Sequence, residues 1–236
     1  MILRFLRRLF GKGQGQGQNQ KPVQSTPKKP VPTTPADPKE NINFAFLIGH
    51  NQWAQGALNY RGESEWSFNS RIARLASEIL AREFGKSCYI LFRPGGSYSA
   101  QVRDVRRQAR EYDIHKLLSL HFDAFHNPSV QGTTGLTVDT PTDRDEKMAK
   151  LVTDLIAEEY GISQRGNQGV RVLSSNHSGY GMIRGLSQDG VATVLIEPIF
   201  ATHDTPATRE FFENEKRYAW ILAKMASRCI DQDLDS

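Results

Sequence analysis

The sequence predicts a single α/β domain built on a mainly parallel sheet of roughly six strands, flanked by helices and preceded by a disordered tail. Three observations predict it. From residue 43 onward, short apolar runs alternate with longer stretches of helical periodicity. Several of the runs are apolar at every position, as strands covered on both faces are. The composition also breaks near residue 42: residues 11–20 read GKGQGQGQNQ, and six of the eleven prolines fall between Pro22 and Pro38.

The elements follow in chain order. Residues 1–10, MILRFLRRLF, would form an amphipathic helix with Ile2, Phe5, Leu6 and Leu9 on one side and Arg4, Arg7 and Arg8 on another. Such a face suits peripheral contact with an anionic membrane. Neither the long apolar stretch nor the small-residue cleavage site of a secretory signal is convincing there; the competing reading is a dispensable leader or an atypical export signal. Residues 11–42 cannot bury enough apolar surface to fold and read as a linker, so the folded unit is expected to span 43–236. Its strands are expected at FAFLI (44–48), CYILF (88–92), KLLSL (116–120), TGLTV (134–138), VRVL (170–173) and ATVLI (192–196). Helices are expected where Phe68, Ile72, Leu75, Ala76, Ile79 and Leu80 repeat at three and four, over the Arg-rich stretch Ser99–Tyr112, and over Lys147–Tyr160. One closing helix is expected over Ala207–Arg228, and SSNHSGYGMIRG (174–185) reads as a Gly/Ser-rich loop.

Charge and cysteine content exclude several function classes. The formal net charge is +4, but residues 1–42 hold eight Lys/Arg against two Asp/Glu, and the remainder holds 22 against 24. The folded part has no basic excess, so a nucleic-acid footprint there is not indicated. No run of 18 apolar residues exists, so no spanning helix is expected. Two cysteines, Cys88 and Cys229, exclude a disulfide framework and an all-cysteine zinc site. Both read as reduced core or surface residues, and Cys88, inside a strand run, has no accompanying His/Asn pattern of a nucleophilic cysteine.

In open α/β sheets, ligands bind beyond the carboxyl ends of the strands. His50 follows the first strand by one glycine, His121 follows the third directly, and Glu197 follows the last directly. Glu65 lies in the loop returning from the same edge. Two imidazoles and one of these carboxylates would make a two-His-one-Glu set, typical of a catalytic zinc with an open position. The other carboxylate is then placed to act as a general base. A single histidine at a strand end is more often a hydrogen-bonded structural residue, and no HExxH or CxxC motif is present. The metal reading therefore rests on the coincidence at three strand ends.

The ordered set GH (49–50), EWSFNSRIARLASEIL (65–80), LFRP (91–94), SLHFDAF (119–125) and VLIEPIF (194–200) resembles the zinc-dependent N-acetylmuramoyl-L-alanine amidases with an α/β sheet, found among cell-wall hydrolases and phage endolysins. The resemblance spans about residues 43–228. It implies that His50, Glu65 and His121 bind zinc and that Glu197 is catalytic. It also implies cleavage of the amide between N-acetylmuramic acid and the L-alanine of the peptidoglycan stem peptide. Action at the bacterial envelope, in periplasm or cell wall, follows, with synthesis in the cytoplasm if the protein is phage-borne. A monomer is expected. The alternatives are a non-catalytic wall-binding module of the same fold and a zinc peptidase on another wall peptide. Glu63 competes with Glu65 as ligand; the spacing of Glu65 to Phe68 and Asn69 favours it. The departures from the family pattern at 51–52, 122–123 and 198–199 read as groove-lining. Asp123, Arg93 and His177 are candidates for substrate contact, with Arg93 able to pair a carboxylate, and His126 is another loop candidate. His203 reads as part of the approach to the closing helix and His115 as remote. The basic face of Arg103, Arg106, Arg107 and Arg110 reads as solvated.

Overall fold

The computed structural model describes residues 42–125, 127 and 130–232. The amphipathic segment 1–10, the linker to residue 41 and the loop candidate His126 lie outside the described residues. Among the described residues there are six strands and six helices in the order β1 (Asn43–Ile48), α1 (Glu65–Phe84), β2 (Tyr89–Leu91), α2 (Tyr98–Glu111), β3 (Ile114–Leu120), β4 (Thr134–Thr137), α3 (Asp143–Tyr160), β5 (Val170–Val172), α4 (Tyr180–Gln188), β6 (Ala192–Glu197), α5 (Pro206–Glu213) and α6 (Glu215–Ile230).

The strands form one sheet in the order β2-β1-β3-β6-β4-β5. All neighbours are parallel except β4, which runs antiparallel to β6. Side chains alternate across the sheet, and both faces are covered. Phe44, Phe46, Ile48, Leu118, Leu120, Val194 and Ile196 pack into the larger core under α1, α3, α5 and α6. Ala45, Leu47 and Leu117 turn to the other face, under α2 and α4.

The helix ends are written in the sequence. Ser64 caps α1, accepting from the Ser67 amide, and Gly85 closes it in the left-handed conformation. Thr142 and Asp145 form a capping box on α3. Two expectations need correction. The 174–185 stretch is a loop only as far as Gly179. From Tyr180 it is helical, because burying Met182, Ile183 and Leu186 overrides the poor helix propensity of its glycines. The closing helix is two helices, broken at Asn214 (φ −108°, ψ 63°). The break accompanies burial of both Phe211 and Phe212 in the aromatic cluster around Phe68.

The Arg-rich face of α2 is also not simply solvated. Arg106 and Arg110 both pair with Asp189 beyond the end of α4, and Arg107 pairs with Asp104 and Glu111. Both cysteines are free and buried, and burial pushes each thiol up to about 12. That keeps them inert as nucleophiles.

Candidate active site

The three central strands β1, β3 and β6 end side by side. Ile48 is in register with Leu120, and Leu120 with Ile196. His50, His121 and Glu197 therefore emerge from one edge, one or two residues beyond paired positions. The approach of β1 to β3 requires glycine at 49: a β-carbon there would lie 2.3 Å from the Leu120 carbonyl oxygen and 2.7 Å from His121 Cε1. His50 itself takes a left-handed backbone, φ 63°. That conformation costs a non-glycine residue roughly 1–2 kcal/mol, and here it accompanies the turn of the chain over the site.

The loop from His50 returns through Gly56 to α1. Gly56 also has positive φ, and a β-carbon on it would lie 2.6 Å from both Glu65 Oε2 and His50 Cδ2. Glu65 is the first residue of α1 and is 3% exposed. Its Oε1 lies 2.7 Å from His121 Nδ1 and accepts from the Phe122 amide at 3.2 Å. Its Oε2 lies 3.2 Å from His50 Nε2 and accepts from the Ala57 amide at 3.3 Å. Burial alone would raise the Glu65 pKa. The hydrogen bonds with His121 and His50 outweigh burial and hold it at about 2. Burial lowers the His121 pKa, against the opposing pull of Glu65, so this imidazole is neutral near pH 7.

One ligand atom from each of His50, Glu65 and His121 lies within 4.8 Å of the others. A buried ionised carboxylate with a neutral imidazole beside it is a chemically suitable donor set for zinc. Glu63 is turned away: its Oε1 accepts from Arg71 Nη1 at 2.7 Å.

Glu197 ends β6, next to His121, whose amide donates to the Ile196 carbonyl at 3.1 Å. Burial and the Asp123 carboxylate push its pKa up to about 8, while Arg165 opposes them. The Asp123 and Glu197 carboxylates both lie against Arg165 Nη2, at 2.8 and 3.3 Å. His177 Nε2 lies 3.9 Å from Glu197 Oε1, and its Nδ1 accepts from the Gly179 amide. Asp123 and His177 are thus brought to Glu197.

Arg93 reaches the neighbourhood, but among the described residues it has no carboxylate within ion-pair distance. Its Nε and Nη2 both donate to the Gln101 side-chain oxygen, and its guanidinium lies over Tyr98. Phe122, Pro198, Ile199 and Asn51 are buried rather than groove-lining. Phe122 packs on Phe68 and Phe212. His115 lies within β3 and accepts from the Asn43 amide, away from the site.

Two site-forming residues carry no signal in the sequence. Arg165, in the loop after α3, binds both Asp123 and Glu197. His203 is buried, with Nε2 2.7 Å from the Phe125 carbonyl oxygen and Nδ1 3.2 Å from the Gln131 amide nitrogen, so it pins the loop that follows His121.

Known proteins share this arrangement of elements. The N-acetylmuramoyl-L-alanine amidase family profile matches residues 46–228. Among solved structures, the N-acetylmuramoyl-L-alanine amidase of Clostridium difficile 630 superposes with a TM-score of 0.62 at 22% identity, over 83% of this chain and 98% of that one. The amidase of Mycobacterium smegmatis gives 0.58 at 19% identity, over 81% and 99%. The catalytic domain of the amidase CwlV from Bacillus (Paenibacillus) polymyxa var. colistinus gives 0.58 at 17% identity, over 82% and 98%. No curated protein matches the chain.

Proposed function

The chain belongs to the N-acetylmuramoyl-L-alanine amidase family, and we propose that it works as a zinc hydrolase in which His50, Glu65 and His121 hold the metal and Glu197 moves the proton. As a member of that family it hydrolyses the amide that joins N-acetylmuramic acid to the L-alanine of the peptidoglycan stem peptide, so it acts at the cell envelope. The observation that carries the zinc reading is the convergence of His50, Glu65 and His121 beside Glu197.

Zinc bound there would supply Lewis acidity, acidifying water and polarising a carbonyl. The chain's residues do the rest. Glu65, ionised and braced by two backbone amides, offers negative charge at a fixed point. Glu65 Oε1, 2.7 Å from Nδ1, and the close packing of Gly49 fix the His121 ring. Glu197 takes the proton of the attacking water and delivers it to the leaving L-alanine nitrogen. A cation at the His50–Glu65–His121 site would also favour the ionised form of Glu197, the form a base needs. His177 and Asp123, beside Glu197, are placed to contact substrate.

Residues 43–236 form the catalytic domain in this reading. Residues 1–10 supply peripheral contact with an anionic membrane and 11–42 a spacer. Action in the periplasm or wall as a monomer, and an endolysin role, extend the same proposal. The test is mass spectrometry of a peptidoglycan digest before and after chelation. The expected result is free stem peptides from intact glycan strands, lost with chelator and regained with added zinc. Undiminished release in chelator would exclude the zinc role.

A further inference from the structure

Arg165 has no part in the chemistry described so far, yet its placement is specific. Its backbone is tied to the start of β4: the Thr133 amide donates to the Ser163 carbonyl and the Arg165 amide to the Thr133 carbonyl, both at 2.9 Å. Its side chain is held at three further points. Nε donates to the Gly132 carbonyl at 3.2 Å, and the guanidinium lies over the Phe200 ring, 4.4 Å from its centroid. Nη2 lies 2.8 Å from Asp123 Oδ2 and 3.3 Å from Glu197 Oε2. One donor nitrogen is shared by Glu197, which ends β6, and Asp123, three residues past the end of the neighbouring β3. Only 16% of the arginine side chain is exposed, and 12% of Glu197.

Two carboxylates drawn to one nitrogen at low solvent exposure repel each other, and the fixed cation they share offsets that repulsion. A guanidinium suits the task, because its planar fork stays charged while its stem packs on an aromatic ring. The two Glu197 oxygens have different surroundings as a result. Oε2 is tethered to Arg165, whereas Oε1 faces His177.

We infer that Arg165 is a positioning residue for the hydrolysis: it anchors Oε2 of Glu197, offsets the Asp123 charge, and leaves Oε1 as the oxygen that exchanges the proton. The inference rests on the role proposed for Glu197. Among the described residues, the charged and titratable groups facing Glu197 are Asp123, Arg165 and His177.

The test uses the full chain with zinc, acting on soluble wall fragments. Arg165→Met keeps the stem over Phe200 and removes the charge; Arg165→Gln keeps a donor for Gly132 and serves where the methionine variant does not fold. An opposite charge at such range typically moves a carboxyl by about 1–3 pH units. The expected result is therefore an acid limb of the kcat profile displaced upward by about one pH unit or more, with kcat down roughly tenfold below that limb. KM and zinc content should change little. Adding Asp123→Asn should restore activity several-fold and bring the limb back, since the like charge is gone. Wild-type kcat and pH profile in both variants would overturn the inference. So would a loss of activity with no displaced limb and no rescue, which would mark Arg165 as a loop support. Near-wild-type turnover by Glu197→Gln would instead remove the role of Glu197 itself, a separate failure.

Discussion

Replacing Glu197 by glutamine makes two opposite predictions from the same geometry, one for activity and one for stability. The side chains are nearly isosteric, but glutamine accepts no proton. A general base contributes about 10²–10⁴-fold, so cell-wall clearance should fall by about that factor while zinc and fold are kept. Stability of the metal-free protein should move the other way. Burial and Asp123 raise the folded-state pKa of Glu197 from its ordinary 4.5 to about 8. The folded chain then binds more protons than the unfolded chain in that interval, so stability falls as pH rises from about 4.5 to 8. Each tenfold change in proton affinity on folding is worth about 1.4 kcal/mol. The full effect is on the order of a few kcal/mol, an upper value because Arg165 and Asp123 readjust. Glutamine carries no charge to penalise. In chelator at pH 8.5, Glu197→Gln should melt above the wild type by several degrees, taking roughly 2–4 °C per kcal/mol. At pH 4, where Glu197 is neutral, the two should nearly coincide. Turbidity clearance and thermal melts at the two pH values measure both effects. Clearance near the wild-type rate would strip Glu197 of its proton-transfer role, and a mutant that melts lower at pH 8.5 would show that its burial carries no charge penalty.

Other outcomes follow from the same site. Gly56→Ala places a β-carbon against Glu65 and His50 at a positive φ, so zinc affinity by calorimetric titration should fall by about 10–100-fold. Glu63→Gln should leave zinc content unchanged and lower stability by no more than about 1 kcal/mol in denaturant titration, because its Arg71 pair is partly exposed. Deleting residues 1–42 should leave activity on soluble wall fragments intact and reduce sedimentation with anionic vesicles at low salt; equal sedimentation would dismiss the membrane contact.

The strands were legible because a doubly covered parallel sheet needs unbroken apolar runs, and FAFLI, KLLSL and ATVLI provide them. The residues directly beyond those runs were legible as site candidates for the same reason. Glu65 was separable from Glu63 only by its spacing to Asn69; in the fold, capping by Ser64 puts it at the helix start, against the two histidines. Phe122 and Ile199 adjoin the site yet are buried, because closeness to a site along the chain does not require exposure. Alternation continues past the strand ends, so Asp123 turns to the site and Phe122 to the core. α4 was missed because its glycines hide a helix that only burial of Met182, Ile183 and Leu186 stabilises. Arg165 was invisible because its partners lie 42 and 32 residues away, and nothing local in SQRGNQG marks them.

Everything proposed for the chemistry depends on His50, Glu65 and His121 holding one zinc ion. Calorimetric zinc titration of the chelator-stripped protein tests this, run beside His121→Ala, Glu65→Gln and Glu197→Gln. One zinc per chain should bind to the wild type and to Glu197→Gln, with binding lost in His121→Ala and sharply weakened in Glu65→Gln. Unchanged stoichiometry and affinity in His121→Ala and Glu65→Gln would mean that the metal, if bound at all, is held by other residues.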